Sequence, residues 1–309
     1  MKTIIVFIYN KPEVTLWIWH AFDFFLILWI QKNLSITAQR FGYTQSGVSH
    51  SISKLESELG VTLFTRTKHG VELTSDAEFL VPYTRNLMIQ EKNFMEAAHS
   101  LQGIQCGSLV IATYASVAAR WLPRIINAFQ AQYPNVSYSI REGGMEDIES
   151  WIMNGEVDFG FLSWRKDSPI KFKAIAKDPL VAVMKRNHPL PPSYFETFPI
   201  YGFMDFPFIA SPGAVDYDIH SAFMDSGVVP MTTYVCNEPS TTISMVKNGL
   251  GISLLPKMVV EEHKDEICMV RTTPSYSRTL GVGFHPKRSL SLASKEFIRV
   301  ASELIPTLA

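Results

Sequence analysis

The chain has 309 residues, of which 47% are hydrophobic and 18% charged, with a formal net charge of −1. That length suits about two domains, and the balance of apolar and charged residues excludes a disordered chain. Near-neutrality excludes binding of nucleic acid or anionic lipid through bulk charge, so any such contact is local.

The N-terminal stretch MKTIIVFIYNKPEVTLWIWHAFDFFLILWI is very apolar, but Pro12, Glu13, His20 and Asp23 interrupt it. No run reaches the ~20 apolar residues that a spanning helix needs, and no membrane role is expected. A first helix is expected from about Phe22, with Phe24, Phe25, Leu28 and Trp29 on its apolar face. Ser35 is expected to cap the next helix, whose inward residues are Ala38 and Phe41, and Gly42 breaks the chain. Thr44 caps a third helix, with Tyr43 and Val48 placed as a hydrophobic staple. Two short helices joined by a tight turn make a helix-turn-helix.

In the third helix Val48, Ile52, Leu55 and Leu59 recur at intervals of 4, 3 and 4, which puts them on one stripe expected to be core. Ser46, His50, Ser53 and Ser57 fall on the opposite face, with Lys54 at its margin and Ser49 on the flank. Short hydroxyls let a helix backbone approach base edges and phosphates in the major groove, where long side chains would hold it away. Thr44, Gln45, Ser46, Ser49, His50 and Ser53 are therefore the candidate DNA contacts, joined near phosphate by Lys54, Arg66 and Lys68. Gly60 ends the helix, and VTLFTRTKHGVELT reads as two short strands around a basic tip, a wing.

Ser75, with Glu78 three residues on, is expected to open a long helix running to about Leu101. Leu80, Leu87, Phe94 and Leu101 recur every seven residues, with Val81, Met88 and Met95 beside them, a pattern that suits pairing with another helix. Pro82 is expected to kink or loosen its first turns. Strands at 108–113, 136–141 and 157–163 then alternate with helices at 116–132 and 145–154. Further strands are expected at 179–185, 232–236, 251–256, 267–271 and 279–284, with helices at 216–226, 240–248 and 291–305. This is an α/β region of about 200 residues, large enough for two lobes.

The run NLSITAQRFGYTQSGVSHSISKLESELGVTLFTRTKHGVELTSDAEFLVPY resembles the winged helix-turn-helix and linker helix of the LysR-type transcriptional regulators. The likeness extends through RWLPRIINAFQAQYPNV, GEVDFGFL and MVKNGLGISLLP to the C-terminus. It implies a multi-domain protein: an all-α winged helix-turn-helix domain (22–74), a linker and dimerisation helix (75–102), and a two-lobed α/β, type 2 periplasmic-binding-protein-like effector domain (103–309). Lobe I is expected at about 107–163 and 271–309, lobe II at about 164–270. The resemblance further implies a cytoplasmic homodimer or homotetramer on a two-fold operator in double-stranded DNA, controlled by a small molecule held between the lobes. Relatives often carry arginine where this chain has His50, a weaker contact for phosphate or guanine. Residues 1–21 exceed the usual start, so they are expected to be an extension from a mis-assigned start, with the natural one near Val14 or Leu16.

For the effector, Tyr114, Ala115 and Ser116 open one helix and Ser240 and Thr241, followed by Thr242, open another. Free N–H groups at such ends favour an anion, so a small anion is the expected ligand. Glu238 beside them opposes an anion and keeps a cationic or zwitterionic effector open. Gly143, Trp164 and Gly213 are expected on loops bordering the cleft. Cys106, Cys236 and Cys268 lie far apart with no C-x-x-C pair, and the histidines do not cluster, so neither a metal nor a cofactor is expected. No G-x-S-x-G, H-E-x-x-H or phosphate-loop motif is present, and catalysis is not expected. A solute-binding protein of a transport system, a thiol-switch regulator and an enzyme on the same two-lobe fold are the alternatives.

Overall fold

The computed structural model describes residues 17–67, 70–101, 106–211 and 217–307. The chain divides into two units, Met1–Met95 and Glu96–Ala309.

In the first unit, α1 (Trp17–Gln31) buries Ala21, Phe24, Phe25 and Leu28, and α2 (Leu34–Phe41) adds Ala38. Helix α3 (Gln45–Leu59) buries Val48, Ile52 and Leu55 against them. The turn between α2 and α3 is fixed by Gly42, whose φ of 69° lies where a side chain is unfavourable, and by Thr44, whose hydroxyl accepts from the Gly47 N–H at 3.1 Å. Strands β1 (Phe64–Thr67) and β2 (Gly70–Leu73) pair antiparallel as the wing, with Thr67 opposite Gly70. The Glu56 carboxylate of α3 accepts from the Leu63 and Phe64 N–H groups at 2.7 and 3.1 Å, which ties the wing's first strand to the third helix. Gly70 is required at its place: a Cβ there would lie 2.4 Å from the Lys32 carbonyl oxygen.

Helix α4 (Ser75–Leu101) leads into the second unit, whose chain order is β3 (Cys106–Thr113), α5 (Ala115–Arg120), α6 (Leu122–Gln130), β4 (Asn135–Glu142), α7 (Met145–Asn154) and β5 (Phe159–Ser163). Then come β6 (Lys171–Lys185), β7 (Phe198–Pro199), β8 (Phe208–Ala210), α8 (Tyr217–Ser226), β9 (Thr232–Val235), α9 (Pro239–Lys247), β10 (Ser253–Pro256), α10 (Lys257–Val260), β11 (Ile267–Thr273), β12 (Ser277–Phe284) and α11 (Leu292–Leu304). The main sheet has the order β4-β3-β5-β12-β6-β11-β7, with β10 also on β6. The first lobe holds two buried clusters, one of Leu109, Ile125, Phe129, Phe159, Phe161 and Phe297 and one of Ala112, Ile148, Ile152 and Leu162; the second lobe holds one, of Val181, Phe203, Phe208, Ile243 and Leu254. Strand β6 serves both, since Ile175 and Ala176 pack on the first core while Leu180 to Met184 lie in the second. The chain therefore passes between lobes along β6 and returns from β11 to β12.

Five local expectations change. Asn33, not Ser35, caps α2, because its carboxamide oxygen accepts from the Ser35 and Ile36 N–H groups at 2.9 and 3.1 Å. Thr74, not Ser75, caps α4, accepting from the Ala77 N–H at 3.1 Å. The helix expected at 116–132 is two helices parted at Trp121, with Pro123 in the first turn of the second, where a missing N–H costs nothing. Strand β6 begins eight residues before the expected Pro179, since its lysine-rich first half pairs with β12 while leaving one side to solvent. Leu59, expected in the core stripe, is 45% exposed, because the helix ends before that turn meets the packed helices.

Candidate functional site

Helix α3 separates two faces. Val48, Ile52 and Leu55 are almost fully buried, while Gln45, Ser46, His50, Ser53 and Ser57 are exposed and Ser49 is half-buried on the flank. Thr44 and Ser46 hydroxyls lie 3.1 Å apart, and the Ser35 hydroxyl donates to the Gln45 Oε1 at 3.3 Å, so the N-terminal end of the helix presents a linked row of polar groups. Lys54 does not extend freely: its Nζ sits 3.8 Å from the centre of the Trp17 indole, a cation–π contact that fixes the ammonium at the helix margin. No sequence pattern pointed to Trp17, which lies within the stretch read as an extension. The backbone of Arg66 is in β1, but its side chain and all of Lys68 lie outside the described residues.

Along α4, Leu80 leans on the first unit's own core, whereas Leu87 and Phe94 are 42% and 71% exposed. Phe79 and Tyr83, which the heptad reading passed over, are also exposed, with ring centres 5.3 Å apart. The open apolar stripe therefore runs through Phe79, Tyr83, Leu87 and Phe94. The Leu101 side chain lies outside the described residues.

In the second unit the most strongly organised polar cluster lies where the chain passes between lobes. Asp178 of β6 and Arg278 of β12 are cross-strand partners and only 5% and 6% exposed. Arg278 Nε donates to one Asp178 oxygen at 3.0 Å and Nη2 lies 2.9 Å from the same oxygen, while the other oxygen accepts from the Met258 N–H at 3.0 Å. Nη2 also donates to the Ser116 hydroxyl at 3.1 Å, and the guanidinium carbon lies 5.6 Å from the centre of the Tyr114 ring. Buried charges persist only when paired and hydrogen-bonded in this way. The Tyr114 hydroxyl lies 3.1 Å from the Ser163 hydroxyl, and burial pushes the Tyr114 pKa up to about 12. Asp218 stands in the first turn of α8, and burial first of all raises its carboxyl pKa, against the lowering effects of Ser163 and Arg278.

Of the expected effector residues, Tyr114 and Ser116 enter this cluster, Ala115 is the exposed residue between them, and Trp164, 52% exposed, directly follows Ser163. Gly143 is held at the start of α7, where a Cβ would meet the Trp151 ring at 2.5 Å. Ser240 and Thr241 are exposed in the first turn of α9. Gly213 lies outside the described residues. Ser163, Asp178, Asp218 and Arg278 were missed. Asp178 and Arg278 left a readable trace, since each is a single charge opening an otherwise apolar strand run, DPLVAV and RTLGVGF. Among the described residues no group of three His, Cys, Asp or Glu side chains is placed to hold a metal ion, and no helix is long and apolar enough to cross a membrane.

Residues 19–78 match the family described as bacterial regulatory helix-turn-helix protein, lysR family, and residues 102–305 match the LysR substrate binding domain. The uncharacterized HTH-type transcriptional regulator YvbU of Bacillus subtilis is 24% identical over 86% of this chain and 91% of its own length. Among solved structures, a full-length OxyR variant from Pseudomonas aeruginosa superposes with a TM-score of 0.74 at 20% identity, over 94% of this chain and 96% of the other. The regulator CbnR in complex with its target DNA superposes with a TM-score of 0.54 at 19% identity, over 92% of this chain and 99% of the other.

Proposed function

The chain belongs to the LysR family, matched through both its helix-turn-helix and its substrate-binding domain, and from that premise we propose how its residues share the work of a DNA-binding transcriptional regulator. Helix α3 enters the major groove with Thr44, Gln45, Ser46, Ser49, His50 and Ser53 toward bases and the sugar-phosphate edge. Lys54, held by Trp17, meets phosphate, as do Arg66 and Lys68 of the wing. The stripe Phe79, Tyr83, Leu87 and Phe94 on α4 pairs with a second copy, so that two α3 helices address the half-sites of a two-fold operator.

The effector enters between the lobes at Tyr114, Ser116, Ser163 and Asp218, beside the Asp178–Arg278 pair. Because β6 and the β11–β12 passage are the strands that join the lobes, a ligand there biases their relative placement, the kind of two-state element that a regulatory switch requires. Burial pushes the Cys268 thiol pKa up and so lowers the thiolate fraction of that cysteine. The reading assigns no catalysis and places the protein in the cytoplasm with its DNA.

The observation that carries the DNA-binding assignment is the exposed hydroxyl and imidazole face of α3 set opposite its buried stripe. Salt-titrated binding to the DNA upstream of the gene tests it with Ser46→Leu, His50→Ala and Arg66→Ala. Weaker binding in these variants is expected; unchanged affinity in all three removes the assignment of helix and wing.

A further inference from the structure

We infer that Lys32, in the turn between α1 and α2, is a further contact to the DNA backbone, taking a phosphate between the recognition helix and the wing. The inference rests on the DNA-binding reading above. Lys32 has a φ of 51° and is the one non-glycine residue in the left-handed region among the described residues. At the ends of α2, α3, α7 and α8 that conformation falls on Gly42, Gly60, Gly155 and Gly227, which have no Cβ to crowd. At the end of α1, where the Lys32 N–H closes on the Leu28 carbonyl at 2.8 Å, it is imposed on a long side chain instead. Glycine serves such a turn with less strain. What lysine adds is an exposed ammonium.

Two sets of contacts place this residue beside the DNA-facing elements. Its carbonyl accepts from the Val71 N–H of β2 at 3.2 Å, and a Cβ on Gly70 would lie 2.4 Å from the same oxygen, so the turn abuts the wing. Asn33, next in the chain, caps α2, and Ser35 in the first turn of α2 donates to Gln45 at the N-terminal end of α3. Lys32 therefore stands where the wing and the polar row of α3 are joined. The first helix of a helix-turn-helix crosses the sugar-phosphate backbone when the second lies in the groove, and Lys32 directly precedes that first helix. Its side chain has no ion-pair partner among the described residues. Glu72, the acid next to Val71, is turned by strand alternation to the face opposite that buried valine. The Glu56 carboxylate is occupied by the Leu63 and Phe64 N–H groups. A point charge on a four-carbon stem meets phosphate without reading bases, so Lys32 adds affinity rather than sequence choice.

Lys32→Gly, Lys32→Asn and Lys32→Arg in the full-length chain are titrated with the DNA upstream of the gene across a salt series, and each variant is also unfolded thermally. The first two suit the left-handed turn and drop the charge, and the third keeps the charge. Lys32→Gly and Lys32→Asn are expected to show an unchanged or higher unfolding midpoint. Their DNA affinity is expected to fall by about three- to tenfold, with a slope of log K against log salt shallower by about 0.9. Lys32→Arg is expected to bind as the native chain does. A native slope in Lys32→Gly and Lys32→Asn overturns the inference and leaves the lysine as a favourable charge at the C-terminal end of α1. An equal loss in all three variants also overturns it, since the position and not the charge then sets binding. Failure of the native chain itself to retain the upstream DNA removes the DNA-binding reading and the inference with it, so the two failures are distinguishable.

Discussion

Asp178 and Arg278, 100 residues apart in the chain, face each other as cross-strand partners on β6 and β12 and form a buried ion pair at the passage between the lobes. Breaking such a pair by removing one partner leaves a buried charge without compensation, which costs about 3–5 kcal/mol. Arg278→Met is expected to lower the unfolding free energy of the second unit, read from denaturant titration, by that amount. Asp178→Asn combined with Arg278→Met is expected to recover much of the loss, since no lone charge then remains. Equal destabilisation in the single and double variants would show that packing, not the charge, sets the cost.

His50→Arg is expected to tighten DNA binding and steepen its salt dependence. One added phosphate contact changes the slope of log K against log salt by about −0.9. A slope equal to that of the native protein places His50 away from the phosphates.

Trp17 and Lys54 act as one unit at the margin of α3, with the ammonium 3.8 Å from the ring centre. Trp17→Leu and Lys54→Met are each expected to weaken operator binding, and the double variant to lose less than the sum. A coupling of about 0.5–1 kcal/mol is expected from a double-mutant cycle on the binding constants. Strict additivity would mean that the ring does not position the lysine.

Phe94→Glu, alone or with Leu87→Glu, is expected to shift the protein toward smaller species in sedimentation velocity, because it puts charge into the exposed apolar stripe of α4. Helical content is the control, since both residues are exposed and their replacement leaves the helix intact. An unchanged sedimentation profile would move self-association to another surface.

The buried Tyr114 phenol, with its pKa pushed up to about 12, favours its neutral form in the folded state. A folded pKa above the unfolded value of about 10 gives stability that is complete below pH 10 and is lost as pH rises toward 12. Denaturant unfolding at pH 9 and pH 11 is expected to show a larger loss for the native chain than for Tyr114→Phe. Parallel losses in the two proteins would mean that the phenol ionises as freely when folded as when unfolded.

Much of the first unit was legible because its signals are local. The interval pattern of Val48, Ile52 and Leu55 sets the buried face of α3, and Thr44, Gly42 and Gly60 mark its ends through capping and positive φ, all within a few residues. Where two capping residues stood close together, as at Asn33 and Ser35 or Thr74 and Ser75, sequence spacing chose the wrong one, because backbone geometry decides which side chain accepts from the first-turn N–H groups.

The sequence by itself determined the winged helix-turn-helix, the long helix after it and the alternation of strands and helices, because periodicity and caps are properties of neighbours in the chain. Only the tertiary structure decided which face of α4 stays open, that Trp17 holds Lys54, and that Tyr114, Ser163, Asp178, Asp218 and Arg278 meet. Those contacts join residues tens to well over a hundred positions apart. They arise because β6 and β12 are paired between two separate cores, and strand pairing over such distances leaves no period in the chain to read.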